Sequence, residues 1–195
     1  MKQVRVGVLA LQGDFAAHLR ALEGVGADGF PIREASQVAD ADALILPGGE
    51  STTIGKLLVR YGLDTAICDA HARGMAIWGT CAGMILLARR IASGAERGGQ
   101  PTLGLMDVTV ARNAFGRQID SFESEIESDL GVLRGVFIRA PYLVEAGAGV
   151  EVLARLDGKI VLAREKKLLA SAFHPELTDD DRVLRHFLEQ VVTSP

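Results

Sequence analysis

Two periods alternate along the first half of the chain. Val4–Ala10 is a nearly continuous apolar run rich in β-branched residues and predicts a buried strand. Behind Asp14, which is suited to cap a helix, Phe15, Leu19 and Leu22 recur at helical spacing. Turn-forming residues at Gly24–Gly29 break the chain. Phe30–Arg33 is expected as a short second strand, and Ala43–Leu46 as a third, stopped by Pro47-Gly48-Gly49. Ser51 or Thr52 is expected to cap a helix over Thr53–Tyr61, and Asp64–Arg73 predicts another. Met75–Trp78 predicts a fourth strand, followed by Gly79-Thr80-Cys81-Ala82-Gly83 and a helix through Arg90. Such alternation favours a parallel sheet with helices on both faces.

The pattern then changes. Val108–Ala111, Ser121–Ile126, Gly135–Arg139, Val150–Leu156, Ile160–Arg164 and Leu168–Phe173 are short strand candidates. Asp157-Gly158 has the composition of a tight hairpin turn. Ser93–Pro101 is expected as a mobile surface loop. A last helix, about Asp180–Val192, puts Val183, Leu184, Phe187, Leu188 and Val191 on one face. The expectation is an α/β fold: an open, mostly parallel sheet with hairpins added in the second half. At 195 residues, without a repeat or linker, residues 1–195 are expected to form one domain.

Composition narrows the classes of function. Hydrophobic residues make up 48% and charged residues 24%, as in ordinary globular proteins. The net charge of −4, with no basic block, argues against a nucleic-acid surface. No run approaches the roughly 18 apolar residues of a membrane span. The start of the chain has the character of a strand, not a signal peptide. Cys68 and Cys81 are the only cysteines, so no disulfide framework is expected, and the cytoplasm is the natural setting. No His/Cys cluster has metal-ligand spacing, and no metal or cofactor is expected.

Gly79–Gly83 carries the strongest chemical signal. It has the form G-x-nucleophile-x-G between a strand and a helix, the context of a nucleophile elbow. A sharp turn there strains the backbone at Cys81 and demands small neighbours. The thiol would sit at a helix start, where free N–H groups favour thiolate, and the Ala82 N–H is placed to hold an oxyanion. The alternative is a buried structural cysteine in a glycine-rich turn. Cys68, inside a helix and without glycines, is expected to do no more than pack.

A cysteine nucleophile needs a base. His18 and His71 lie on amphipathic helices beside charged residues and are expected to face solvent, and His186 is expected to be exposed. His174 differs, because it follows a strand end, where chemistry gathers in open α/β sheets. Pro175 biases it towards an extended conformation, so Glu176, two residues on, points back to the ring. Such a carboxylate would fix the tautomer, as in a triad. The alternative is a His-Pro turn with a solvated glutamate. Pro47–Ser51 offers a second loop at a strand end, able to present a backbone N–H to an oxyanion or to serve as a plain turn. Gly24–Gly29 matches G-x-G-x-x-G but follows a helix and precedes a strand, the reverse of a dinucleotide site.

A cysteine elbow, a glycine-glycine loop before it and a late His-Pro-Glu, in that order, resemble the class I, triad-type glutamine amidotransferases, whose fold is flavodoxin-like. Val6–Gly13, Pro47–Thr53, Gly79–Met84, Arg112–Gln118, Phe137–Pro141 and Phe173–Glu176 together resemble the glutaminase subunits of pyridoxal 5′-phosphate synthase. That resemblance implies hydrolysis of L-glutamine to glutamate and ammonia by Cys81, His174 and Glu176 through a glutamyl thioester. It implies an oxyanion site at Gly49 and Ala82. It implies a glutamine site of Gly49, Glu50, Ser51, Arg112, Ile138 and Arg139, with arginine suited to the α-carboxylate. The implied partner is a separate synthase subunit that accepts the ammonia, in a large hetero-oligomer docked on the face carrying Gln12. The residues alone leave open a sister subunit, such as that of imidazole glycerol phosphate synthase, a thiol hydrolase of similar fold, or a non-catalytic binding module.

Overall fold

A computed structural model of the chain describes residues 4–92, 99–112 and 121–193. Its strands, in chain order, are β1 (Arg5–Leu9), β2 (Asp28–Ile32), β3 (Ala43–Leu46), β4 (Ala76–Thr80), β5 (Ala88–Ile91), β6 (Met106–Ala111), β7 (Ser121–Ser128), β8 (Gly131–Ile138), β9 (Tyr142–Ala146), β10 (Glu151–Leu156), β11 (Lys159–Glu165) and β12 (Leu168–Ser171). The helices are α1 (Phe15–Gly24), α2 (Ser51–Arg60), α3 (Leu63–Ala72), α4 (Ala82–Leu87) and α5 (Arg182–His186), with tight turns of helix at Ala35–Asp40 and Pro175–Leu177.

The sheet path β2-β1-β3-β4-β12-β11-β10-β7-β8 has two parts. From β2 to β12 every pairing is parallel, in the order of a flavodoxin-like sheet. Beyond β12 the pairings along the path are antiparallel. Strands β5, β6 and β9 form a branch joined to β11 through Ile160 and Leu143. The expected α/β sheet with hairpins in the second half is therefore what forms, as a mixed sheet. Strands β1, β3, β4 and β12 are buried almost throughout, which explains their continuous apolar runs. Pro31 lies in β2, at the sheet edge, where a missing N–H is tolerated. The Asp157-Gly158 pair turns the β10–β11 hairpin, both residues having positive φ.

Two expectations need correction, and one strand, β9, had none. The helix after Cys81 ends at Leu87, not Arg90. From Ala88 the chain pairs with β6, and Arg89 and Arg90 reach Asp107 at 3.2 and 3.0 Å, so tertiary pairing overrides helix propensity. Glu50, not Ser51 or Thr52, caps α2, its carboxylate accepting from the N–H groups of Thr52 and Thr53 at 3.0 and 2.7 Å. Strand β9 follows Pro141 and carries no turn signal of its own. The last helix continues from α5 into a wider turn over Phe187–Val191; of the expected face it buries Val183, Leu184, Phe187 and Val191, with Leu188 half-buried against the core. Of the expected loop Ser93–Pro101, residues 93–98 lie outside the described residues, as do 113–118 of the Arg112–Gln118 block. Among the described residues, no helix is long and apolar enough to cross a membrane.

Candidate active site

Strands β1, β3, β4 and β12 run parallel, so their carboxyl ends share one edge of the sheet. Gln12 follows β1, Gly48 and Gly49 follow β3, Cys81 follows β4 and His174 follows β12. This is the edge where open α/β sheets bind ligands. An open cleft of about 330 Å³ lies there. Gly49, Glu50, Ser51, Cys81, Ala82, Arg112, Ile138, Arg139 and His174, all expected at the site from the sequence, line it. Gln12, Asp14, Gly48, Ile85 and Leu177 complete the wall.

The elbow has the strain expected of it. Cys81 adopts φ 50° and ψ −102°, between a fully buried Thr80 and α4. Such a backbone costs about 1–3 kcal/mol and persists only where its surroundings hold it. The Cys81 N–H donates to the Ser171 carbonyl at 2.8 Å, extending the β4–β12 ladder by one residue. At Gly83 a Cβ would lie 2.1 Å from the Leu46 carbonyl oxygen, so only glycine lets the elbow sit this close to β3. The Cys81 Sγ, 3.8 Å from the Ile138 carbonyl oxygen, faces the cleft with the residue only 8% exposed.

His174 is fixed by three contacts. Its backbone N–H donates to Val136 at 2.9 Å. Its Nδ1–H donates to Glu176 Oε1 at 2.7 Å, the donor role following from the carboxylate opposite it. Its ring packs on Gly48, where a Cβ would lie 2.3 Å from Cε1. Burial alone would lower the imidazole pKa. Hydrogen bonds to Cys81 and Glu176, with the negative charge of both partners, outweigh burial and raise it to about 10. Burial pushes the Glu176 carboxyl up, but His18 and His174 more than offset that and hold it below its ordinary value.

His18 departs from expectation. Instead of facing solvent it is 1% exposed, and its Nε2 lies 3.1 Å from Thr80 Oγ1 and 3.4 Å from Glu176 Oε1. The misjudgement has a simple cause. Ala17, His18 and Leu22 form the buried stripe of α1, and a polar residue inside such a stripe is the signal that was available. Burial lowers the His18 pKa, and the His174 charge does so too; Glu176 and Asp14 counteract only in part. His186 is half-buried instead of exposed. His71, expected to face solvent, is half-buried, its Nδ1 2.9 Å from the Met75 carbonyl oxygen. Cys68 is half-buried on α3, and burial followed by the charges of Asp64 and Asp69 raises its pKa.

On the opposite wall, Arg112 stands 3.9 Å from Glu50 Oε1. Its NH1 is buried and has no hydrogen-bond partner among the described residues. Arg112 lines the cleft, and a guanidinium there is suited to a carboxylate ligand. The Glu50 N–H donates to Gln12 Oε1 at 2.8 Å, tying the β1 and β3 loops together. Burial would raise the Glu50 pKa, but bonds from Thr53 and Thr52 bring it down to about 2. Arg139 has φ 43°, a second strained residue on the cleft, whereas Asp157 and Lys166, with similar φ, occupy hairpin turns. Among the described residues, no group of three or more His, Cys, Asp and Glu side chains is placed to hold a metal.

Residues 8–193 match the SNO glutamine amidotransferase family. The chain belongs to that family. It is 55% identical over 194 residues to pyridoxal 5′-phosphate synthase subunit PdxT of Pelotomaculum thermopropionicum, covering 97% of this chain and 96% of the relative. To the subunit of the same name from Herpetosiphon aurantiacus it is 56% identical, over 94% of this chain and 98% of the relative. A crystal structure described as a glutamine amidotransferase superposes with a TM-score of 0.89 at 52% identity, covering 94% of this chain and 97% of the other. For this SNO amidotransferase, the elbow cysteine and the buried His-Glu pair thus occur on a family fold that spans nearly the whole chain.

Proposed function

We propose that the chain, acting as one domain over residues 1–195, is the glutaminase subunit of a pyridoxal 5′-phosphate synthase. It hydrolyses L-glutamine and passes the ammonia to a separate synthase subunit. The observation that carries the reading is the strained Cys81 facing a cleft beside a histidine locked to a buried glutamate. The family and the PdxT relatives supply the substrate and the partner.

The residues divide the work as follows. Arg112 takes the α-carboxylate of glutamine, and Gly49, Glu50, Ser51, Ile138 and Arg139 surround the rest. Cys81 Sγ attacks the side-chain amide carbon. The Gly49 and Ala82 N–H groups hold the oxyanion, stabilising charge only as it develops. His174, protonated at neutral pH by its raised pKa, gives its proton to the departing ammonia. Acylation then removes the Cys81 charge and hydrogen bond that had raised His174. The imidazole, having given up its proton and now neutral, takes a proton from water as that water attacks the thioester. Glutamate leaves, and the same proton re-forms the resting pair. Glu176 holds Nδ1–H throughout and keeps Nε2 turned to the reacting atoms. We assign the work to the cytoplasm, and the docking surface to the face carrying Gln12 in a large hetero-oligomer.

The test is ammonia release from glutamine, measured with and without the synthase subunit. Release that Cys81→Ala abolishes is expected. Folded wild-type chain and synthase together giving no release above background would overturn the reading.

A further inference from the structure

Behind the triad, on the side away from the cleft, α1 and β4 bring a second imidazole to the catalytic glutamate. We propose that His18 is a positioning residue for the triad, its Nε2–H donating to Thr80 Oγ1 and turned towards Glu176 Oε1, so that the carboxylate is held facing His174.

Three observations carry this. First, Glu176 Oε1 accepts from His174 at 2.7 Å and stands 3.4 Å from His18 Nε2, so one oxygen is shared between two rings. Glu176 Oε2 is buried without a hydrogen-bond partner among the described residues. A carboxylate anchored through one oxygen only can rotate about its side chain, and the second donor opposes that rotation. Second, the tautomer follows from the surroundings. A lone pair on Nε2 would face a carboxylate oxygen at 3.4 Å, a repulsive arrangement, whereas an N–H there donates to Thr80 Oγ1 at 3.1 Å and turns its positive end towards the carboxylate. Third, the ring itself is held. It meets Trp78 edge-on, with centroids 5.7 Å apart, and the Trp78 Nε1–H donates to Ser171 Oγ at 3.1 Å. Trp78 in turn packs against Phe187.

Thr80 and Cys81 are consecutive, so His18 closes a ring of contacts. From Cys81 the ring runs through His174 and Glu176 to His18, and back through Thr80 to the nucleophile. One side chain of α1 thereby braces both arms of the triad. A cavity of about 230 Å³, lined by His18, Trp78, Glu176 and Asp179–Asp181, lies on this rear side. His18 stands between this space and the carboxylate, so removing the ring opens room into which Glu176 can swing.

The inference rests on the glutaminase reading, and the experiment separates the two. His18→Leu keeps bulk without the donor, and His18→Gln restores an N–H near the Nε2 position. With the synthase subunit present, His18→Leu is expected to lower kcat by about 10- to 100-fold with KM little changed, and His18→Gln to recover most of it. In a Glu176→Gln background, His18→Leu is expected to add no further loss, because it acts through the carboxylate. Independently of turnover, the His174 Nδ1–H resonance is expected to be visible and slow to exchange in the wild type and in His18→Gln. In His18→Leu it is expected to broaden. Unchanged kcat and an unchanged resonance in a folded His18→Leu variant overturn the proposal. So do additive losses in the double variant, or a His18→Gln variant as impaired as His18→Leu. Should the wild type release no ammonia, the glutaminase reading fails, and the resonance alone decides the placement of His18.

Discussion

The parallel block of the sheet and its antiparallel extension meet at one cleft but contribute to it differently. From the parallel block come Cys81, His174 and the Gly48–Ser51 loop; Cys81 and His174 are 8% and 7% exposed. Their neighbours approach so closely that a Cβ at Gly48 or Gly83 would overlap His174 or Leu46. From the β6 and β8 ends of the extension come Arg112, Ile138 and Arg139, with Ile138 38% exposed. The block that fixes reacting atoms has no slack, and the block that surrounds the ligand has some. Substitutions in the first should therefore change kcat, and substitutions in the second should change KM.

The largest effect is expected at the nucleophile. Cys81→Ser swaps sulfur for oxygen in an unchanged elbow, and we expect kcat to fall by roughly 10⁴–10⁶-fold with little change in melting temperature. Retention of more than a tenth of the ammonia release would remove Cys81 from its role. Next comes Gly48→Ala. The added methyl would lie 2.3 Å from His174 Cε1, so the ring must move by an ångström or so, and kcat should fall by about 10²-fold. Steady-state kinetics showing only a raised KM would mean that the parallel block is not the rigid element supposed here.

On the other side of the comparison stands Arg112→Gln. Losing a charge-assisted carboxylate contact costs about 1.5–3 kcal/mol, which is roughly a 10- to 150-fold rise in KM at nearly constant kcat. A kcat effect as large as the KM effect would place Arg112 with the reacting groups.

A smaller effect concerns pH. His174 rises from an ordinary 6.5 to about 10 in the folded state. The folded protein therefore holds a proton that the unfolded chain releases between those values. The stability so contributed is complete below about pH 6.5 and is lost as pH rises through 10. Melting temperature measured from pH 6 to 10 should decline, and His174→Asn should flatten part of that decline. An equal slope in both proteins would show that the His174 proton is not linked to folding.

The two blocks also differed in what their residues disclosed beforehand. Continuous apolar runs marked β1, β3, β4 and β12, because strands buried on both faces have no polar positions to confuse the pattern. Cys81, His174 and Glu176 were legible because an elbow and a His-Pro-Glu segment are local: a few adjacent residues dictate the geometry. Non-local features were not legible. Ala88–Ile91 reads as helix until its partner β6 is known, and β9 has no signal apart from the strands it joins. His18 was hidden for the same reason. Its neighbours in sequence are ordinary helix residues, and its buried nitrogen meets its partners only when the chain returns at Thr80 and then, 158 positions on, at Glu176. Arg112, Ile138 and Arg139 were assigned by resemblance alone, since no local rule joins the ends of β6 and β8.

The smallest expected effect is at the second cysteine, and it tests whether position relative to the sheet, not residue type, makes a thiol reactive. Cys68 belongs to α3, on the outside of the parallel block, and its Sγ–H donates to the Leu103 carbonyl oxygen at 3.9 Å. Burial and the flanking Asp64 and Asp69 disfavour its thiolate. Cys68→Ser should leave kcat and KM unchanged and shift stability by less than about 1 kcal/mol. With a limiting amount of a haloacetamide, peptide mapping should find label on Cys81 and hardly any on Cys68, although Cys68 is the more exposed of the two. Equal labelling would mean that exposure governs thiol reactivity here, and that the elbow strain and the His174 pairing add nothing to it.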